Sequence, residues 1–463
     1  MQAVSEIDQL LGIETFVTKN SGIGGRIRGI PEDFQVEEIL ADNSKANFTA
    51  PEKEPQALGA LLEQQQQQLQ QRYLLCVLTK QNWDTFLAIK NVAIQLGIDQ
   101  NNIQIAGIKD AKAVTAQYVT IENRKAEDID NVNVKGIKLR PVGYLHYPLS
   151  VFYLLGNSFK IKITQITQDK DAVNTQINQV IKEITELEGM PNYYGHQRFG
   201  TTRPITHYVG KAIVEGNFEE AAMLFLAKPG LHEHPESRNA RIELQQTHDF
   251  KAALEYYPKQ LRYERLMLKY LNENQDEYLN AFKVLPLKLQ ALFVQAYQSY
   301  LFNRFLSARI KAGLPLNKAE IGDFVVGIER SGLPMVNMPQ IVTAQNQIKT
   351  NEALARGKMR LALPIVGFKQ KLSNGIMGEL EHQVLQQEKV NLQNFHISIN
   401  PRLGNRGSLR TVLTPVKDFE LLDNTKDTEG QTVSITFTLL RGCYATVLLR
   451  EIIKPKNLIT AGF

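Results

Sequence analysis

Apolar residues recur along this chain with two periods, and the switches between them divide it. Phe34 and Val36 alternate with polar neighbours, Tyr73 to Thr79 is a short apolar run, and Gln117 to Ile121 alternates again, all patterns of strands. Between the last two, Asn82 to Leu96 places Phe86, Ile89, Ala93 and Leu96 at helical spacing ahead of Gly97, a helix with its stop. Ile103 to Ala106 reads as a further short strand. Phe159, Ile161 and Ile163 mark another, followed by Asp171 to Glu188, whose Val173, Ile177, Val180, Ile181, Ile184 and Leu187 form one apolar stripe ended at Gly189. This first part of the chain has an α+β pattern.

Composition changes after Gly189. From Arg203 to about Gln393 helical periodicity prevails, with Phe218 to Ala227 and Leu289 to Ala312 as helices and strand character around Gly322 to Val326 and Leu361 to Phe368. Alternation returns at Val433 to Leu439, before a closing segment, Tyr444 to Ile453. The two chain ends are therefore expected to share one sheet while the middle forms a separate lobe. Ser44 to Gln71 stands apart, opening on prolines and charge and ending in glutamines, and is read as a peripheral insertion in which Leu61, Leu62 and Leu69 permit an exposed helix. No solenoid or propeller period is visible.

With 463 residues, the chain is too long for one ordinary core, so two domains or one domain with a large insert is expected. Lys and Arg number 53 against 48 for Asp and Glu, a formal charge of +5 that permits a polyanionic partner without demanding one. Local clusters say more: Arg356, Lys358, Arg360, Lys369 and Lys371, and again Arg402, Arg406 and Arg410, are either phosphate contacts or solvated surface. Cys76 and Cys443 each sit in an apolar run, which argues against a disulfide framework and for an intracellular protein. No apolar run approaches the roughly 20 residues that span a bilayer, and Met1 to Phe16 lacks the pattern of an export signal. His232 and His234 flank Glu233 without a third ligand at a usual spacing, so no metal site is expected. Ile27 occupies the last glycine position of a dinucleotide fingerprint beginning at Gly22, so no nucleotide cofactor is expected either.

Candidate chemistry concentrates at Gly107 to Gln117 (GIKDAKAVTAQ), where a glycine turn between two strand patterns presents Asp110 beside Lys109. From this window alone, an aspartate that caps its own backbone, or pairs with Lys109 or Lys112 on the surface, is the commoner case. Three more windows change the balance: Arg28 to Glu38 (RGIPEDFQVEE), Met190 to Gly200 (MPNYYGHQRFG) and Phe437 to Glu451 (FTLLRGCYATVLLRE). With Gly156 to Phe159 and Ala296 to Asn303, they follow the order of a known family, and the chain resembles the TruD family of pseudouridine synthases over nearly its whole length.

That resemblance implies a pseudouridine synthase catalytic domain with a mixed, largely antiparallel sheet, interrupted by a largely helical inserted TRUD domain. The expected division is 1–191 and 415–463 for the catalytic domain and 192–414 for the insert. Asp110 takes the place of the family's catalytic aspartate. Arg28 falls where bacterial relatives commonly carry lysine near that aspartate, and the alternative for it is a phosphate contact on a surface strand. Asn157 and Phe159 match the third active-site motif, whose aromatic stacks near the target uracil; Phe159 is also the first core residue of its strand. Lys109, Phe34, Asn192, Gln197 and Arg198 complete the expected substrate contacts, with Tyr193 and Phe199 as core. Arg450 either supports the site or pairs with Glu451 or Asp110. Leu440 stands where many members have proline.

The activity so implied is isomerisation of a uridine in structured RNA to pseudouridine, uridine 13 of tRNA above all, by a cytoplasmic monomer of the archaeal branch that uses no cofactor. Two other classes compete: an RNA-binding protein or chaperone that kept the cleft without catalysis, and a small-molecule isomerase or lyase, which the clustered arginines disfavour.

Overall fold

A computed structural model describes residues 4–49, 72–398, 400–427 and 430–463. The glutamine tracts and Leu61, Leu62 and Leu69 lie outside the described residues. In chain order the strands are β1 (Phe34–Leu40), β2 (Tyr73–Gln81), β3 (Ile103–Ile105), β4 (Val114–Glu122), β5 (Ile137–Leu145), β6 (Leu154–Ile166), β7 (Met190–Pro191), β8 (Phe324–Ile328), β9 (Pro334–Ile341), β10 (Met359–Ile365), β11 (Ser408–Thr411), β12 (Leu413–Thr414), β13 (Lys417–Asp427) and β14 (Gly430–Leu440).

Eight of these form one mixed sheet in the order β13-β14-β6-β1-β4-β2-β5, with β3 beside β4. Its described pairings are antiparallel except β1 with β4. Strands from both ends of the chain thus share a sheet, with β6 between β1 and β14. The register sets Val36 and Phe437 on either side of Phe159, and Glu38 and Leu439 on either side of Asn157. Every second residue of β1 from Phe34 to Leu40 is buried, as the alternation requires.

Behind the sheet, the helix Lys170–Glu186 buries Val173, Ile177, Val180 and Ile184, and its start is fixed by the Asp169 carboxylate accepting from the Ala172 N–H. The helix Ala445–Ile453 is buried along its whole length. In the middle of the chain, helices pack around Leu287–Lys311. Helix Thr206–Glu215 crosses it at Gly210, where a Cβ would overlap the carbonyl oxygen of Phe293, so only glycine allows the two backbones this close.

A second sheet, β11-β10-β8-β9, lies in the same stretch of chain. Its outer strands β9 and β11 also contact each other, so it curls around Phe324, Val326, Ala362 and Leu409. The periodicity predicts only β8 and β10 of these four. Strand β9 is largely exposed and β11 has four residues, so neither carries a readable apolar alternation.

The observed helices Lys170–Glu186, Phe218–Ala227 and Leu287–Lys311 coincide closely with the predicted ones. In helix Thr85–Leu96 the buried face is instead Thr85, Ala88, Ile89, Val92 and Ala93, and Phe86 is 53% exposed because it falls in the first turn at the margin of the stripe. Cys76 is fully buried, and burial pushes its thiol up to about 12. Cys443 is only partly buried, because it belongs to the turn ahead of the last helix and not to an apolar run.

Candidate active site

Asp110 lies in the loop between β3 and β4, and every side of that loop is tied down. Thr85 exchanges hydrogen bonds with both the N–H and the carbonyl of Lys109, each at 3.1 Å, and the Gln117 amide donates to the Gly107 carbonyl at 3.0 Å. The ammonium of Lys80, on β2, is fully buried and donates to the carbonyl oxygens of Asp110 at 2.6 Å and Trp83 at 2.8 Å. Burial pushes the Lys80 amine down to about 8, against the pull of Asp110 and Asp84. Lys109 itself is buried, and its ammonium is ion-paired with Glu38 of β1, a carboxylate with no exposure that also accepts from the Tyr118 N–H at 2.9 Å.

The Asp110 carboxylate is one-third exposed and meets the Arg28 guanidinium at 3.4 Å. Arg28 is fixed on three sides. Its guanidinium carbon lies 3.9 Å from the centre of the Phe34 ring, its Nη1 donates to the Gly462 carbonyl at 3.3 Å, and its backbone holds φ +56°. That conformation strains an L residue by about 1 kcal/mol or more. Gly462 comes close because it adopts φ +83° with no Cβ to strike the Ile27 carbonyl. Burial lowers the Arg28 pKa and Asp110 raises it in return; a guanidinium starts so high that it stays charged.

Asp110 looks onto a cleft of about 290 Å³ lined by Phe34, Val36, Asn157 and Phe159 on the sheet and by Gln197, Tyr444 and Thr446 opposite. Phe159 stacks on Phe437 at 5.2 Å and meets Phe34 edge-on at 6.3 Å, giving an apolar floor suited to a flat ring. Asn157 Oδ1 is buried in this lining without a hydrogen-bond partner. An orphaned polar atom costs about 1–3 kcal/mol, which a bound group with a matching donor would recover. A carboxylate, a fixed cation, an aromatic floor and one free amide oxygen together fit a planar heterocycle joined to a sugar.

A family model described as tRNA pseudouridine synthase D (TruD) matches residues 10–452. The chain belongs to the tRNA pseudouridine synthase D family. A Methanosarcina mazei protein named "Probable tRNA pseudouridine synthase D" is 36% identical over 456 residues, which cover 98% of this chain and 99% of that one. A Pyrococcus abyssi protein of the same name is 37% identical over 440 residues, covering 95% and 98%. The solved structure described as "Putative tRNA pseudouridine synthase D (TruD) from Methanosarcina mazei" matches with a TM-score of 0.80 at 36% identity, over 98% of this chain and 99% of that chain. As a TruD member the protein is an isomerase.

Of the residues expected at a TruD site, the structure brings Asp110, Arg28, Phe34, Lys109, Asn157, Phe159 and Gln197 together. Three others lie elsewhere. Arg450 is fully buried one turn beyond Thr446, where it holds Asp8 at 2.9 Å and Glu451 at 3.4 Å over the Phe16 ring; it pairs with Glu451 and not with Asp110. Enclosed in this way, it has no route to substrate. Asn192 is buried with its amide committed to Thr411 at 3.0 Å and Arg410 at 2.6 Å. Arg198 reaches Ser299 and Gln295 on the long helix and does not line the cleft. Lys109 lines it but spends its charge on Glu38, so it positions the loop. Sequence reasoning missed Lys80 and Glu38. Each occupies an inward-facing strand position where an apolar residue is the rule, and that polarity break was the available signal.

Among the described residues no helix is long and apolar enough to cross a membrane.

Proposed function

We propose that the protein converts uridine 13 of tRNA to pseudouridine, with Asp110 as its catalytic residue and no cofactor. The observation that carries this reading is the Asp110 carboxylate, paired with Arg28 and facing an aromatic-floored cleft that has one unpartnered amide oxygen. The choice of position 13 rests on the family resemblance alone.

The reaction breaks the bond from the sugar C1′ to N1 of uracil, turns the base, and forms a bond from C1′ to C5. A proton leaves C5 and one is gained at N1, so no oxidant, reductant or group donor is consumed. Asp110 supplies the carboxylate that the glycosidic step needs, and Arg28, 3.4 Å away, sets a cation beside it. Phe34 and Phe159 present a surface on which the freed ring can turn while remaining stacked. Phe159 has no acid–base capacity, so the C5 proton leaves to water. The target must be unstacked from folded RNA to enter, a cost of a few kcal/mol offset by stacking in the cleft and by phosphate contacts outside it.

In this reading the catalytic domain comprises 1–191 and 415–463, the TRUD insert 192–414, and the enzyme works as a cytoplasmic monomer. The test is tritium release from unmodified tRNA transcripts carrying 5-tritiated uridine, with wild type and Asp110→Asn run side by side and a second transcript carrying cytidine at position 13. Release by wild type on the first transcript only, and none by Asp110→Asn, is expected. Equal release by Asp110→Asn would remove Asp110 from its role, and tight binding without release would favour a non-catalytic RNA binder.

A further inference from the structure

Beside the Asp110 cleft, and sharing Cys443 with it, lies a second hollow of about 130 Å³. Three arginines line it, Arg360 from β10, Arg410 from β11 and Arg441 from the turn after β14, and no acidic side chain does. Arg360 is the informative one. It pairs in register with Val326, while Ala362, two residues on, pairs with Phe324, so Arg360 stands on the face that elsewhere holds the apolar cluster of the curled sheet. Among the described residues its guanidinium makes no hydrogen bond and no ion pair within 4 Å. Glu188 borders an adjoining hollow that Arg360 also lines, but it lies outside ion-pair distance. Burial lowers the Arg360 pKa, offset only in part by Cys443 and Glu188, which is the mark of a cation without its counter-ion.

The other two guanidiniums are held in place without being neutralised. Arg410 donates to the Asn192 carbonyl at 2.8 Å and to the Gly442 carbonyl at 2.8 Å, and lies 4.1 Å over the Tyr194 ring. Arg441 Nη1 donates to the carbonyls of Val151 at 2.7 Å and Leu154 at 3.3 Å. All of these acceptors are neutral. Two fixed cations and a third, half-buried and unpartnered, share one hollow; like charges so gathered favour an anion joining them, and planar guanidinium forks match phosphate oxygens. Asn192, expected at the substrate, thereby gains a different part: it orients Arg410.

We propose that Arg360, Arg410 and Arg441 form a phosphate subsite that grips the RNA backbone beside the uridine held in the Asp110 cleft. The proposal rests on the reading of that cleft as a uridine site in RNA, because the shared wall at Cys443 sets the hollow within a nucleotide's reach of the base.

The test measures binding of the whole protein to an unmodified tRNA transcript across a range of KCl concentrations, for wild type, Arg360→Gln, Arg360→Lys and Arg441→Gln. Arg360→Gln is expected to weaken binding about tenfold and to lower the slope of log K against log salt by about 0.7 to 1. Arg360→Lys should restore the slope, since the charge remains, but not the full affinity, since the fork is lost. Thermal melting checks that each variant folds, and Arg441→Gln carries the test if Arg360→Gln does not. Unchanged affinity and slope in folded variants would overturn the subsite. Calorimetric titration with inorganic phosphate separates the source of the anion: Arg360-dependent phosphate binding with unaltered tRNA binding would make this a free-anion site and overturn the backbone assignment. An Arg360-dependent slope in a protein that releases no tritium would keep the subsite and reject the synthase reading instead.

Discussion

The Lys80 ammonium grips the main-chain oxygen of Asp110 at 2.6 Å, while the carboxylate of the same residue meets Arg28. One cation fixes the backbone and another the side chain, and the first has its pKa pushed by burial down to about 8. Synthase turnover is therefore expected to fall as pH rises through about 8. That fall is not unfolding: with a folded value near 8 against an ordinary 10.5, the unfolded chain binds more protons between the two, so this group makes folding stability rise with pH across that window. Turnover and thermal melting measured together across this range should move in opposite directions. Lys80→Arg should shift the alkaline limb out of range, and Lys80→Met should lower kcat by roughly 10- to 100-fold through a loosened Asp110.

Arg28 combines a charged pair, an aromatic face and a left-handed backbone at one residue. A lysine keeps the charge but loses the flat fork over Phe34, whereas glutamine loses the charge. We expect Arg28→Lys to retain activity within about tenfold of wild type and Arg28→Gln to lose roughly 100-fold or more in kcat. Equal losses in the two variants would mean that shape, and not charge, is what Arg28 supplies.

How much of this was legible in the chain differs from residue to residue. Local pattern put Asp110 on a glycine turn and Phe159 in an alternating strand, but it was the further windows and the family resemblance that singled them out. Glu38 and Lys80 were in view as interruptions of such patterns, but their partners lie far away in sequence, and no spacing links Glu38 to Lys109 or Lys80 to Asp110. For Arg450 the open alternatives narrow to the pair with Glu451, away from the cleft. It follows Thr446 by four residues on the same helix face, and one turn, about 6 Å, is enough to carry a side chain from the cleft wall into the core. The curled four-stranded sheet was half missed because β9 and β11 face solvent or are short, leaving little apolar period to read.

The buried pair of Glu38 and Lys109 sets up a clear stability contrast. Removing one partner leaves the other charged in the interior, so Lys109→Met alone is expected to cost about 3–5 kcal/mol. Replacing both, as Glu38→Gln with Lys109→Met, removes the stranded charge and leaves Gln to accept from the Tyr118 N–H, so the double variant should recover a large part of that loss. Denaturant unfolding of the two single variants and the double closes the cycle. A double variant whose loss equals the sum of the two single losses would show that the pair contributes nothing as a pair.

Asp8 lies fully buried between Arg450 and His196, at 2.9 Å and 2.8 Å. Burial pushes its carboxyl up, but Arg450 and the hydrogen bonds outweigh that and hold it down at about 2, against an ordinary 3.8. A folded value below the unfolded one adds stability that is fully present at neutral pH and is lost as pH falls from about 4 through about 2. Arg450→Met strands this carboxylate, with an expected cost of about 3–5 kcal/mol. It also removes the acid-labile share of stability, so the gap between wild type and variant should narrow as pH drops through that window. Because Arg450 supports the helix from behind and does not touch the cleft, tRNA affinity per folded molecule should be unchanged. A selective loss of RNA binding in a variant that melts like wild type would return Arg450 to the substrate side.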